Sequence, residues 1–557
     1  MALQKNDRIT ISITDMTENG EGIGRAGGYP LFVKDAMIGD RVEVIVTKPG
    51  KTYGFGRVSA VLAPSPDRVS PLCPLAAPCG GCQLQALSYP AQLSFKENKV
   101  RQHLLRLGGF DEAFLSSRLL PILGMENPWH YRNKAQIPFG KDKDGRVIAG
   151  YYAGRSHRIV PMEHCALNQD GFDEILSLLL AFANEFHIAP YDEESGSGLL
   201  RHALIRHARG SGQWMVCLVI NGRKLPRADE LVRRLLEIPG MTDISLSVNT
   251  ARTNVILGQE ILSLHGPGYI TETIADLSFR VSPLAFFQVN PAQTEVLYAK
   301  ALEFAGLGGK ENVWDLYCGT GTISLFLARH AARVKGVEIV APAIKNAKQN
   351  AALNGITNVD FFVGRSEEIF PDYVRAHPEE TADVVVLDPP RKGCDPALLE
   401  ALLACSPERI VYVSCNSATL ARDLKILTAG DQAEGSRYRL ELVQPVDMFP
   451  QTVSCETVCA LSKLSEAKHH ISVQVDMDEL DLTAAESKAT YEEIQAWVKE
   501  KYGFHVTHLN IAKTKRKCGI IERQNYNLPK SKNSRSPETP KEKEEAIIEA
   551  FRHFKMI

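Results

Sequence analysis

The spacing of apolar residues changes along the chain, and each change marks a new kind of element. Arg8-Ile9-Thr10-Ile11-Ser12-Ile13 and Arg41-Val42-Glu43-Val44-Ile45-Val46 alternate apolar and polar side chains, the period of strands with one buried face. Asn19-Gly20, Gly27-Gly28 and Pro49-Gly50 supply turns between them. Short strands at this spacing predict a small OB-type β-barrel, a shape that either binds single-stranded nucleic acid or packs on a neighbour. From about 86 to 285 the pattern is mixed. Helices are predicted over 91–107, 170–187 and 227–237, and strands over Tyr131–Ile137 and Trp214–Ile220. After 286 the runs become solidly apolar: Val313–Cys318, Val359–Gly364, Asp383–Leu387 and Val411–Asn416. Such runs separated by helical stretches predict buried parallel strands of a doubly wound α/β sheet. Beyond 464 the chain predicts an amphipathic helix over 490–501, a strand over 505–511, a linker over 527–540 and a charged helix over 541–554.

These patterns give a multidomain α/β protein with four segments. They are a β-barrel over 1–64, an α+β domain over 65–285, a Rossmann-like domain over 286–464 and a C-terminal extension over 465–557. At 557 residues one core is excluded. The net charge of −2 does not advertise a polyanionic partner, so any nucleic-acid surface must be local. Candidate basic positions are Lys96, Lys99, Arg101 and Arg106 on one helix, and Arg132 and Lys134 on one strand. Arg155, His157 and Arg158 follow Tyr151-Tyr152, and Lys513–Gly519 is a basic knuckle. Solvated faces account for any one of these equally well, and the extension suits accessory RNA binding or docking alike. The polar N-terminus lacks the apolar stretch of a signal peptide, and no eighteen-residue apolar run is present. A cytoplasmic location without a membrane span is expected.

Cys73, Cys79 and Cys82 stand in a C-x5-C-x2-C loop stiffened by Pro74 and Pro78 and loosened by Gly80-Gly81. Three thiolates in one tight loop need a metal or cluster to offset their charge. A fourth ligand is expected, with Cys165 the first candidate and His164 a substitute. Spacing alone leaves iron-sulfur and zinc both open.

Val313–Cys318 runs into Gly319-Thr320-Gly321-Thr322 and a helix over 323–328. Strand, glycine turn and helix open a nucleotide-binding fold. The missing third glycine and Asp315 within the strand favour S-adenosylmethionine over NAD. Glu338 ends the next strand and is placed for ribose hydroxyls, and Arg365-Ser366-Glu367 for adenine. Asp388-Pro389-Pro390-Arg391 makes a stiff corner at the switch point. Cys415 follows the fifth strand, where a thiolate can attack a soft electrophilic carbon. Cys318, Cys394 and Cys405 are rival thiols, with Cys318 in the cofactor turn and Cys405 in helix packing.

Gly20–Gly24, Gly39–Val42 and Gly54–Val58 resemble a TRAM domain, an RNA-binding module. Phe286–Asn290, Asp315–Gly321, Asp388–Arg391, Ser414–Asn416 and Met448–Glu456 together resemble the RNA uracil-C5-methyltransferases. With the cysteines and the TRAM-like start, residues 6–464 look most like the iron-sulfur members that modify 23S ribosomal RNA (the RumA/RlmD type). The resemblance implies uridine C5 methylation, with Cys415 as nucleophile, Glu456 as base and Gln288, Tyr317, Glu338 and Asp388 as cofactor contacts. It implies a [4Fe-4S] cluster on Cys73, Cys79, Cys82 and Cys165, with zinc the lesser alternative. A monomer acting on RNA is expected. A transfer-RNA T-loop uridine is the runner-up substrate. A DNA cytosine-C5-methyltransferase would present its nucleophile after proline, whereas Ser414 precedes Cys415. A non-catalytic RNA-binding protein has no need of Cys415, Asp388 and Glu456 together. One departure stands out: Ser454 occupies the place where the family commonly carries histidine.

Overall fold

A computed structural model describes residues 3–154, 156–428, 437–464, 491–518 and 539–554. The chain divides into two compact units, Met1–Glu466 and Ala467–Ile557. The first begins with β1 (Arg8–Met16), β2 (Gly22–Ala26), β3 (Tyr29–Lys34), β4 (Arg41–Pro49) and β5 (Gly54–Ala63). They close a barrel in the order β1-β2-β3-β5-β4. The alternation read from sequence fills its core with Ile11, Ile13, Leu31, Val33, Val42, Val44 and Val46.

A helix over Tyr89–His103 follows, extended by a single wide turn at Leu104–Gly108. The central sheet contains β6 (Lys134–Lys141), β7 (Val147–Tyr152), β8 (Ile159–Pro161), β9 (Leu200–Ala208), β10 (Gln213–Ile220), β11 (Met241–Val248) and β12 (Glu260–His265). Helices Phe172–Glu185 and Ala228–Leu235 cover its apolar face through Ile175, Leu179, Phe182 and Leu231. The hairpin of β13 (Ile270–Ile274) and β14 (Leu277–Val281) leads into the last domain.

That domain holds β15 (Asn312–Leu316), β16 (Arg333–Glu338), β17 (Val359–Val363), β18 (Val384–Leu387), β19 (Arg409–Ser414), β20 (Tyr438–Val446) and β21 (Glu456–Lys463). The order is β17-β16-β15-β18-β19-β21-β20, with the first five parallel and β21 antiparallel to β19. Both faces are packed. Val313, Val386, Val411 and Val413 point into one core, and Trp314, Val385, Leu387 and Tyr412 into the other. Hence the strands read as unbroken apolar runs. The order reverses between β15 and β18, and ligands of such sheets bind outside that crevice.

The second unit has helices Tyr491–Tyr502, His508–Lys517 and Lys541–His553 around Ile494, Val498, Ile511, Ile547 and Phe551. The strand expected over 505–511 is therefore corrected to a helix from His508. Thr507 Oγ1 accepts from Asn510 N at 3.3 Å, a side-chain cap that stabilises a helix start. Gly519 and most of the 527–540 linker lie outside the described residues, as does Arg155.

Candidate active site

Beyond β15 the chain turns through Tyr317–Gly321 into helix Thr322–Ala328. The Tyr317 and Cys318 amides both donate to Val337 O at 3.0 Å, tying the turn to β16. A Cβ on Gly321 (φ +78°) would lie 2.9 Å from the Phe361 ring, so this position needs glycine both for its conformation and for its packing. Tyr317 holds φ +76°. Such a strained non-glycine residue persists only where its surroundings fix it.

Under the turn lies a cavity lined by Gln288, Tyr298, Asp315, Tyr317, Thr320 and Asp388. A groove sharing Phe286, Gly319 and Thr320 continues it to Glu338. The Glu338 carboxylate accepts from Gly319 N at 3.3 Å and Val340 N at 2.9 Å. All four expected cofactor residues thus lie along one channel. Arg365, Ser366 and Glu367 do not line it, and Arg365 pairs with Glu367 at 2.8 Å. Burial pushes the Asp315 carboxyl up to about 7, although Ser324 Oγ donates to Oδ2 at 2.5 Å. Its Oδ1 has no partner among the described residues. Burial, and then the charge of Asp315, push Asp388 up to about 7. Two desolvated carboxyls in one cavity favour a cationic ligand. S-adenosylmethionine brings an ammonium, a sulfonium and a ribose diol, and the residues present fit it.

Cys415 and Glu456, the pair expected from the sequence, are linked to this channel through Asp388. Ser414, the last residue of β19, is registered against Thr457 of antiparallel β21. Cys415 therefore leaves β19 next to Glu456, the first residue of β21. Glu456 is 3% exposed. Burial, then Asp388, push its carboxyl up to about 8, with Arg391 opposing. Cys415 is half-buried. Burial, then Glu456 and Asp388, push its thiol up to about 11, again opposed by Arg391. Cys415, Glu456, Asp388 and Arg391 thus act on one another electrostatically. The Arg391 carbonyl accepts from Asn416 Nδ2 and Thr419 Oγ1, both at 3.2 Å, which pins the proline corner to the turn after Cys415. Arg391 stood in the quoted motif without an assigned role. Its signal was a cation at the switch-point corner, and the structure has it act on Glu456 and Cys415.

The rival thiols are placed differently. Cys318 is buried under the cofactor turn. Cys394 is 3% exposed, with burial pushing its thiol up to about 12. Cys405 ends helix Pro396–Cys405 and packs on the core.

A family model described as tRNA (Uracil-5-)-methyltransferase matches residues 243–464, and a TRAM domain model matches residues 3–59. An uncharacterized RNA methyltransferase of Clostridium tetani is 46% identical over 467 residues, 84% of this chain and 98% of the relative. One from Halalkalibacterium halodurans is 47% identical over 460 residues, 82% and 98% respectively. The chain belongs to the RNA (uracil-5-)-methyltransferase family. The solved Pyrococcus abyssi tRNA (uracil-54, C5)-methyltransferase, in complex with S-adenosyl-L-homocysteine, superposes with a TM-score of 0.63. It is 27% identical and covers 81% of this chain and 100% of that one.

In this methyltransferase Cys73, Cys79, Cys82 and Cys165 line a single cavity with Arg132 and Tyr151. Gly80 N donates to Tyr152 O at 3.0 Å, and a Cβ on Gly80 would itself lie 3.0 Å from that oxygen. Glycine lets the cysteine loop press against β7. His164, the alternative ligand, pairs with Asp173 through Nδ1. Among the described residues no three His, Cys, Asp or Glu side chains close on one metal-ion position. The four thiols share this apolar cavity with the Arg132 guanidinium, a donor set whose chemistry suits a thiolate-held metal or cluster.

The expected basic RNA surface is corrected in part. Lys96 is fully buried and bonds Asp447 Oδ1 at 2.5 Å. Lys99 Nζ donates to Val453 O at 2.6 Å, and Arg101 pairs with Glu112 at 2.7 Å. Arg132 faces the cysteine cavity. Their partners lie far along the chain or across the fold, so the sequence made them look free. A different surface emerges on the barrel. Phe32, Tyr53 and Phe55 cluster with ring centroids 5.3–5.8 Å apart. Phe32, Phe55, exposed Lys34, Lys48 and Arg57 line a groove that reaches the cysteine loop and Ser454. Aromatic faces among cations suit unpaired bases and their phosphates. The aromatic spacing along β3 and β5 was the overlooked signal. Among the described residues no helix is long and apolar enough to cross a membrane.

Proposed function

We propose that this methyltransferase modifies C5 of a uridine in 23S ribosomal RNA, with Cys415 as nucleophile and Glu456 as base. The register of Ser414 against Thr457, which brings the thiol and the carboxyl together beside Asp388, carries the reading. Uracil C5 is a weak nucleophile. Addition of the Cys415 thiolate to C6 forms a C–S bond and moves the C5–C6 π electrons into an enolate. S-adenosylmethionine supplies an electrophilic methyl group, which C5 takes with the enolate electrons while the S–CH3 bond breaks and S-adenosylhomocysteine is left. The Glu456 carboxylate then removes the C5 proton. The C5–H electrons restore C5=C6, the C6–S bond breaks and Cys415 leaves as thiolate. A carboxyl held near 8 is a stronger proton acceptor than an ordinary glutamate, which suits a carbon acid. Gln288 contacts the methyl donor and Asp388 holds the uracil or the donor, both from the lining of the cofactor cavity. The target base must leave its stack to reach Cys415.

The four cysteines are read as ligands of a [4Fe-4S] cluster. The cluster is preferred to zinc on the resemblance of this cysteine set, and the four thiols line one cavity from which either group could be held. Anaerobic purification should give brown protein with iron and sulfide, and Cys82→Ser should lose both. The choice of ribosomal RNA rests on the resemblance of the cysteine set to that group of enzymes. A transfer-RNA T-loop uridine is the second reading, favoured by the name of the Pyrococcus abyssi relative. Labelled S-adenosylmethionine, offered with ribosomal RNA and transfer RNA separately and followed by mass-spectrometric mapping of 5-methyluridine, decides between them. Label in 23S RNA alone supports the proposal, and label in transfer RNA alone replaces it with the second reading.

A further inference from the structure

Glu456, the first residue of β21, directly follows an irregular segment, residues 447–455, that links β20 to β21. The position of the base depends on how that segment is held. Its tip is Gln451, at φ +69° and 2% exposed. Left-handed φ in a non-glycine residue is costly unless neighbours enforce it. Here they do. Gln451 O accepts from the backbone amides of Gln83 at 3.1 Å and Leu84 at 3.0 Å. Gln451 N donates to Gln92 Oε1 at 3.0 Å, and Gln92 Nε2 donates to Gln451 Oε1 at 2.9 Å. Gln92 is itself 1% exposed, and its Nε2 also donates to Leu87 O at 2.8 Å. Gln83 and Leu84 directly follow Cys82 in the chain.

We propose that Gln92 and Gln451 form a clasp that positions Glu456 and joins the cysteine loop to the proton-abstraction step. The inference rests on the uridine reading above. Neither residue lines the cofactor cavity, so both are positioning residues. Their reach to the base is short, because Gln451 is five residues before Glu456 and both ends of the segment are fixed by the Val446–Glu456 pair. The cysteine loop therefore bears on the base through two backbone hydrogen bonds. Loosening the clasp should spare thiolate addition and methyl transfer, which use Cys415 and the cofactor channel. It should slow removal of the C5 proton, because a base displaced by about 1 Å loses up to 100-fold in rate.

The test uses full-length Gln92→Ala and the volume-conserving Gln92→Met, the second guarding against loss of fold in the first. Hydrogen exchange is read in peptides covering 79–84 and 451–457 of the free protein. Resolution of the protein–RNA adduct is read separately on denaturing gels. The expected result is faster exchange over 451–457 in both variants and about 10- to 100-fold slower adduct resolution. Cys82→Ser should speed exchange over both peptides. Unchanged exchange over 451–457 overturns the clasp. Faster exchange with normal resolution overturns its role in proton removal. Faster exchange over 79–84 alone in Cys82→Ser overturns the link to the cysteine loop. A wild-type protein that forms no adduct contradicts the uridine reading and removes the base from this proposal, while exchange still reports on the clasp itself.

Discussion

Ser414 and Thr457 face each other across antiparallel β19 and β21. That single register brings residues 415 and 456 to the same end of the sheet, although they come from different parts of the sequence. There the Glu456 and Asp388 carboxyls raise the proton affinity of the Cys415 thiol, and Asp388 raises that of Glu456.

The thiol should reveal this coupling. Glu456→Gln removes a negative neighbour, so the alkylation midpoint of Cys415 should fall below its wild-type position near 11. Iodoacetamide kinetics from pH 7 to 11, read on the Cys415 peptide, check it. An unmoved midpoint would show that the two groups do not sense each other.

The same variant should change stability. The Glu456 carboxyl sits near 8 in the fold against an ordinary 4.5. A raised folded value favours the protonated native state, so this contribution is fully present below about 4.5 and is lost as pH rises through 8. At pH 9 Glu456→Gln should therefore be more stable than wild type, on the order of 2–4 kcal/mol. At pH 5 the two should nearly coincide. Denaturant unfolding at both pH values measures the difference.

Cofactor binding should depend on the acid pair. With Asp388 near 7 beside Asp315, a cationic ligand must displace a proton below that pH. Affinity for S-adenosylmethionine should rise up to about tenfold per unit from pH 5 to 7 and then level off. Calorimetry in buffers of different ionisation enthalpy should show proton release at pH 6. Asp388→Asn should bind more weakly and flatten the profile.

The segment before the base has its own anchor. Lys96 and Asp447 are both fully buried at 2.5 Å, with Tyr89 OH donating to Asp447 Oδ2 at 3.0 Å. Lys96→Met strands a carboxylate and should cost about 3–5 kcal/mol. Adding Asp447→Leu should recover much of that, because no buried charge then remains. Urea titration of the two variants gives the comparison.

The sequence was most informative where one residue type answered one local demand. Alternation in β1, and in β4 apart from Ile45, gave the barrel, and apolar runs ending in Gly319-Thr320-Gly321, Asp388 and Cys415 gave the sheet and its candidate-site end. Long-range pairing was not legible. Lys96 looked like a surface cation because its partner lies 351 residues away. Phe32 and Phe55 gain meaning only when β3 and β5 lie side by side, where they are registered against each other. The region 505–511 misled because its three scattered apolar residues, Val506, Leu509 and Ile511, are too few to separate strand from helix, while the Thr507 cap that resolves it was overlooked.

The central claim is a bond between Cys415 and uracil C6. RNA carrying 5-fluorouridine offers no C5 proton, so Glu456 has nothing to remove and the adduct should persist. Wild-type protein should then give a denaturation-stable complex in the presence of S-adenosylmethionine, with the nucleotide mass on the Cys415 peptide. Cys415→Ala should give none. A label on Cys394, or a complex that survives Cys415→Ala, would contradict the account.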